Sequence, residues 1–205
     1  MKFPCPARML VFTAFVLHLY SPEAFPDTVS YDLQLNNLEQ YRAQSLARVT
    51  LTDTAGGVDF LIEALVPGSR LQKFGFNFLD NNQPAGFSVS NLPGGWHASV
   101  HINHETGFSN FGKFDVSIKT TGYTNRLSSL AFSVIGGSIA NYAALSFGNG
   151  EESLFSVHVT NLNATGITGY AGGGITAAVP LPSVAVLFPS GLVALAFRMR
   201  KSKSI

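Results

Sequence analysis

From residue 46 to residue 160 the apolar side chains of this chain recur at every second position. Val49 and Leu51 open the series, followed by Val58, Phe60, Ile62, Ala64 and Val66, and then by Phe74, Phe76 and Phe78. Trp96, Ala98, Val100 and Ile102 form the next stripe, then Phe114, Val116 and Ile118, then Phe132 with Val134, and last Phe155, Val157 and Val159. Thr, Ser, Asn and charged residues fill many of the places between. A period of two puts alternate side chains on opposite faces of a strand, so each run predicts a strand with one dry and one wet face.

Turn-forming clusters separate the runs: Asp53-Thr54-Ala55-Gly56-Gly57, Pro67-Gly68, Asp80-Asn81-Asn82, Pro93-Gly94-Gly95, Thr121-Gly122, Gly136-Gly137 and Gly148-Asn149-Gly150. At least eight short strands at this spacing predict an all-β fold, a single antiparallel β-sandwich of jelly-roll type, over residues 25–170. Residues 35–48 lack the alternation and suit a short helix or a loop. Ala171-Gly172-Gly173-Gly174 reads as the start of a flexible linker over 171–178.

The two ends follow a different pattern. Residues 9–20 form an apolar run behind Lys2 and Arg8, the length of a signal-peptide core and too short to span a bilayer. Cleavage is placed near Ala24, making residues 1–24 a signal peptide. At the other end Val179-Pro180-Leu181-Pro182 precedes an uncharged apolar run, 183–197, and a basic tail, 198–205, with Arg198, Arg200, Lys201 and Lys203. The run would rise roughly 22 Å as a helix, short of the ~30 Å hydrocarbon core, so it predicts a marginal and transient membrane anchor. Its basic end would stay cytoplasmic.

This C-terminal order of motif, apolar segment and basic end resembles the sorting signal of PEP-CTERM proteins, which bacterial exosortases recognise. Val179, Pro180 and Pro182 match the family's Val-Pro-Glu-Pro motif, and Leu181 stands in place of its Glu. The body is similar to the β domains that such signals often terminate, through Gly112-Lys113-Phe114-Asp115-Val116 and the looser Leu130-Ala131-Phe132-Ser133-Val134 and Phe155-Ser156-Val157-His158-Val159. The resemblance implies an exported cell-surface or matrix protein handled by the export machinery, signal peptidase and an exosortase-type enzyme. It also implies association with surface polysaccharide in a biofilm, and no catalytic activity.

Cys5 is the single cysteine and precedes the first apolar run, so the exported body would fold without disulfides and has no thiol chemistry. Between residues 25 and 178, eleven carboxylates face seven Lys and Arg, and no basic stripe is visible along the chain. A nucleic-acid ligand is therefore not expected.

Candidate chemistry is sparse. His97, His101, His104 and Glu105 are the densest titratable group, but on a strand His97 and His101 lie about 13 Å apart on a wet face. Only His101 with His104 across a turn could share a metal. Asp80-Asn81-Asn82 with Asp53 or Asp59 could offer oxygen ligands to calcium, although the same residues build turns unaided. Adjacent Glu151 and Glu152 would point apart on a strand, whereas a glycosidase needs two carboxylates converging on one bond. Trp96 is either a sugar-stacking platform or, from its phase with Val100 and Ile102, a core residue. No other cofactor is expected. The leading expectation is a non-catalytic surface protein; the alternative is a carbohydrate-binding sandwich using Trp96 or exposed Tyr and Asn side chains, and a hydrolase comes third.

Overall fold

The computed structural model describes residues 27–42, 44–102, 106–148, 150–174 and 179–180. The proposed signal peptide, Leu181, Pro182, the apolar run 183–197 and the basic tail with Arg198, Arg200 and Lys201 lie outside these residues, as does His104.

The described chain is all-β. In order it forms β1 (Thr28–Leu33), β2 (Leu35–Asn36), β3 (Ala47–Thr54), β4 (Gly57–Ala64), β5 (Arg70–Phe76), β6 (Ser88–Ser90) and β7 (Trp96–Val100). It continues through β8 (Thr106–Gly107), β9 (Lys113–Phe114), β10 (Val116–Thr120), β11 (Ser129–Ile135), β12 (Phe155–Leu162), β13 (Ile167–Gly173) and β14 (Val179–Pro180). A one-turn helix, Ile139–Tyr142, follows β11 and is closed by reciprocal Ser138 and Asn141 bonds in a capping box. Sheet I has the strand order β14-β1-β3-β4-β11-β6 and sheet II the order β2-β13-β12-β5-β10-β7; the ladders of both are antiparallel. The small β8–β9 ribbon stands apart.

The two sheets enclose one core built from the predicted stripes. Val49, Leu51, Val58, Phe60 and Ile62 from sheet I are fully buried, as are Phe74, Phe76, Val116, Ile118, Phe155 and Val157 from sheet II. Phe60 on β4 is the hinge of the packing. Its ring stacks on Phe132 at 4.9 Å and meets Phe76 and Phe74 of the opposite sheet at 5.0 and 6.1 Å. Aromatic rings bury large areas and add edge or offset contacts, so a core dense in Phe compensates for the missing disulfides. Tyr142 closes one end of the core, its hydroxyl donating to the Gly136 carbonyl and its pKa pushed up to about 12 by burial.

Three expectations need correction. The Val100 and Ile102 side chains, expected in the core with Trp96, are 40% and 44% exposed, because β7 is the edge strand of sheet II and the chain leaves it at Val100. Phe114 does not share a face with Val116. The chain bends at Asp115, so Val116 enters the main core while Phe114 joins Phe108 and Phe111 in a separate cluster. Residues 35–48, expected as a short helix or a loop, hold a 3-10 turn at Glu39–Tyr41 between β2 and the start of β3. Finally, Ala171, Gly172 and Gly173 are not a linker: they are buried members of β13, paired with Val157, Ser156 and Phe155. Glycine is needed there for close approach. A Cβ on Gly172 would fall 2.5 Å from the Phe111 ring, and one on Gly75 would fall 2.6 Å from Phe108. The three phenylalanines thus cap a patch of sheet II that Gly75 and Gly172 leave open for their rings.

Candidate functional site

Alternation decides which polar side chains reach the outer faces. On sheet II, Phe74 and Val157 point inward, so Lys73 and His158 point outward, and the register places them opposite each other. Lys73 also sits opposite Lys119, Lys119 opposite His97, and His158 opposite Tyr170. His97, Lys119, Lys73, His158 and Tyr170 therefore form one row across five strands, spanning roughly 19 Å at the usual strand spacing. None of the residues in the sheet II strands is acidic.

Beside this row lies an open groove of about 590 Å³ lined by Arg70, Gln72, Tyr123, Arg126, His158 and Thr168, among others. Gln72 reaches it through an irregularity: β5 carries one residue more than β12 between the Lys73–His158 and Leu71–Val159 pairs. The Arg126 guanidinium lies 3.9 Å from the centre of the Tyr123 ring, which is 82% exposed. The Arg126 Nε is buried and has no hydrogen-bond partner. His158 stacks on Tyr170 with ring centres 4.5 Å apart.

The electrostatics follow from this crowding of like charge. Burial, then the cations Arg126 and Lys73, push the His158 pKa down to about 4, so its imidazole is neutral at pH 7. Burial, then Lys119, lowers Lys73 to about 8; its Nζ donates to the Gly107 carbonyl at 2.8 Å and sits 3.9 Å from the Phe108 ring centre. Among the described residues, carboxylates pair only with Arg42, to Glu39, and Arg48, to Asp32. Arg70, Lys73, Lys119 and Arg126 have no such partner among the described residues. The sequence reading that found no basic stripe is thereby corrected: four of the body's basic side chains share one face, brought together from strands distant in the chain.

Of the residues singled out from the sequence, His97 joins the row and none of the described ones lines the groove. Trp96 is 6% exposed and donates its indole N–H to the Asn125 carbonyl at 2.8 Å, which removes it as a sugar platform. His97 and His101 are exposed, as the alternation requires; the His101–His104 pair falls outside the described residues. Asp80 is exposed in a 3-10 turn with φ 54°. The suggested companions of Asp80 are engaged elsewhere: Asp53 Oδ1 accepts the Ile139 N–H at 2.9 Å, and Asp59 Oδ1 accepts the Ser133 hydroxyl at 2.7 Å. Among the described residues no group of three His, Cys, Asp or Glu could hold a metal ion. Glu151 and Glu152 are exposed in a loop.

Asp115, quoted within the Gly-x-Phe-Asp element, is buried and structural. Its Oδ2 accepts the Phe78 N–H at 3.1 Å, and its own N–H donates to Asn77 Oδ1 at 2.7 Å. These bonds hold the bend that sends Phe114 and Val116 to opposite faces.

The first half of the Val-Pro-Leu-Pro motif is placed. Val179 and Pro180 lie antiparallel to β1, opposite Ser30 and Val29, on the edge of sheet I. Among the described residues no helix is long and apolar enough to cross a membrane, and the run 183–197 lies outside them. No family model, curated protein or solved structure matches the chain.

Proposed function

We propose that this chain is an exported bacterial cell-surface or extracellular-matrix protein, sorted by an exosortase-type enzyme at Val179-Pro180-Leu181-Pro182 and non-catalytic in its body. One observation carries the reading. Within the last twenty-seven residues the Pro-x-Pro motif, the uncharged run 183–197 and the basic tail occur in sorting-signal order, directly behind a self-contained sandwich. The body supports it as cargo suited to an oxidising compartment, since its core of Phe, Val, Ile and Leu uses no thiol. We read the strand order as jelly-roll-like in its centre, where β4-β11-β6 and β12-β5-β10 alternate between sheets. The signal peptide spans residues 1–24, and residues 183–197 anchor the protein transiently in the inner membrane before processing.

Intact-mass analysis of the protein recovered from its host tests this. The expected mass lacks the first apolar segment and the residues after the motif; an unclipped chain in the cytosol would overturn the proposal.

A second reading, a carbohydrate-binding module, draws on the sheet II groove. Exposed Tyr123, with Gln72, Asn161 and Thr168, supplies the aromatic surface and the amide and hydroxyl groups that sugars engage. A glycan-binding screen on the full chain tests it.

A further inference from the structure

The groove on sheet II holds a feature that a site for neutral sugar does not require, which is uncompensated positive charge. Lys73 and Lys119 are direct cross-strand partners, an arrangement that destabilises a sheet when both are charged. Among the described residues, Arg70 and Arg126 line the adjoining groove without a carboxylate partner, and none of those lining it is acidic. Guanidinium groups are the side chains best suited to gripping carboxylates through paired N–H donors. From this arrangement we propose that the groove lined by Arg70, Gln72, Tyr123, Arg126 and Thr168, extended by Lys73 and Lys119, binds an acidic polysaccharide through its uronate carboxylates. The inference rests on the carbohydrate-binding reading and specifies its ligand class.

Each part of the face has a role in such a complex. Arg70 is exposed and offers its donors to a carboxylate directly. Arg126 is held flat against Tyr123, which fixes the direction of its guanidinium and lowers the entropy lost on binding. Gln72 and Thr168 line the same groove and offer an amide and a hydroxyl to the hydroxyls of a sugar ring. Lys73 is half-buried, and the same desolvation that lowers its pKa makes a nearby anion more stabilising than one in open water.

The alternative polyanion, nucleic acid, fits less well. Duplex DNA carries about one charge per 1.7 Å of its length, while the body as a whole has more carboxylates than basic groups. Single strands favour rows of exposed aromatic platforms, whereas among the described residues the groove offers exposed Tyr123 and the partly buried His158. A polyuronate has sparser charge, and its hydroxyls match the neutral polar groups that line the groove with the arginines.

Binding of the full chain, purified in mild detergent, to alginate, neutral dextran and single-stranded DNA tests the proposal, with Arg70→Gln, Arg126→Gln and Arg48→Gln as variants. Alginate should bind in a salt-sensitive manner, with Arg70→Gln and Arg126→Gln each weakening it about tenfold, the equivalent of one charge-assisted contact. Arg48→Gln on sheet I should leave affinity within about twofold, as expected for a charge remote from the groove. Arg70 is exposed, so its variant remains informative if Arg126→Gln disturbs folding. Equal affinity for dextran would overturn the inference while leaving the carbohydrate reading intact. Binding to DNA as tight as to alginate, or equal losses for all three variants, would overturn the inference. Failure to bind any glycan would overturn both.

Discussion

The two sheets share one core but present opposite surfaces. The strands of sheet I carry Asp32, Asp53, Asp59 and Glu63 against Arg48 alone; those of sheet II carry Arg70, Lys73 and Lys119 with His97 and His158, and no carboxylate. The difference extends to how polar groups are satisfied. On sheet I they satisfy one another: Ser30 and Thr50 hydroxyls meet at 2.9 Å, Asn91 Nδ2 donates to Ser133 Oγ at 3.1 Å, and Arg48 grips both oxygens of Asp32 at 2.7 and 3.2 Å. On sheet II the cations face one another, and Lys73 and Arg126 meet a carbonyl or an aromatic ring but, among the described residues, no carboxylate. Identical packing inside thus coexists with one face closed on itself and one face left electrostatically open.

The comparison breaks most completely if the shared core is removed. Phe60→Ala deletes the ring that touches both sheets and should cost about 3–5 kcal/mol, with both faces lost in one transition. Denaturant unfolding followed by tryptophan fluorescence and by circular dichroism checks it; two separate transitions would mean that the sheets do not depend on one core. Next in size is the aromatic cap found only over sheet II. Gly75→Ala drives a methyl into Phe108 and should cost about 1–3 kcal/mol, whereas Gly56→Ala in an open turn of sheet I should be nearly neutral.

A pH series sharpens the contrast further. His158 titrates near 4 in the fold against about 6.5 when unfolded, held down by burial and by Arg126 and Lys73. Tyr170 packs on it from β13, Lys73 faces it from β5, and Arg126 reaches it from the segment before β11. A lowered pKa on a base means that the fold favours the neutral form. The resulting stability is complete above pH 6.5 and is lost as the pH falls through 4. His158→Phe keeps a ring against Tyr170 and removes the proton site, so wild type should lose stability relative to this variant between pH 6.5 and 4. Parallel curves would reject that role. The smallest effect belongs to sheet I: the Arg48–Asp32 pair is well aligned but nearly half exposed, and Arg48→Met should cost less than about 1 kcal/mol in thermal unfolding at moderate salt.

What could be foreseen from the chain divides along the direction of the strands. Runs such as Phe74, Phe76 and Phe78 declare their inward face because burial repeats along the backbone, and the structure buries all three. The pattern fails where the backbone leaves regular geometry or the strand leaves the core. Asp115 bends the chain and sends Phe114 the other way, and Val100 and Ile102 emerge at an edge. The groove was hidden for a different reason. Lys73, Lys119, Arg126 and His158 are neighbours only across strands, and no linear motif records a register. Alternation alone would have turned Lys73 and His158 outward, but it could not have set them opposite each other. The tryptophan and histidine candidates drew notice because their residue types are rare in the chain, a weaker guide than position in the sheet.

The pairing of β14 with β1 has a consequence for where the two ends of the sandwich lie. Because that pairing is antiparallel, the chain enters at Thr28 and departs at Pro180 on the same corner, about one strand spacing, ~4.8 Å, apart. A circular permutant that splices these two points with a few residues and opens the exposed turn at Gly56 should retain the fold.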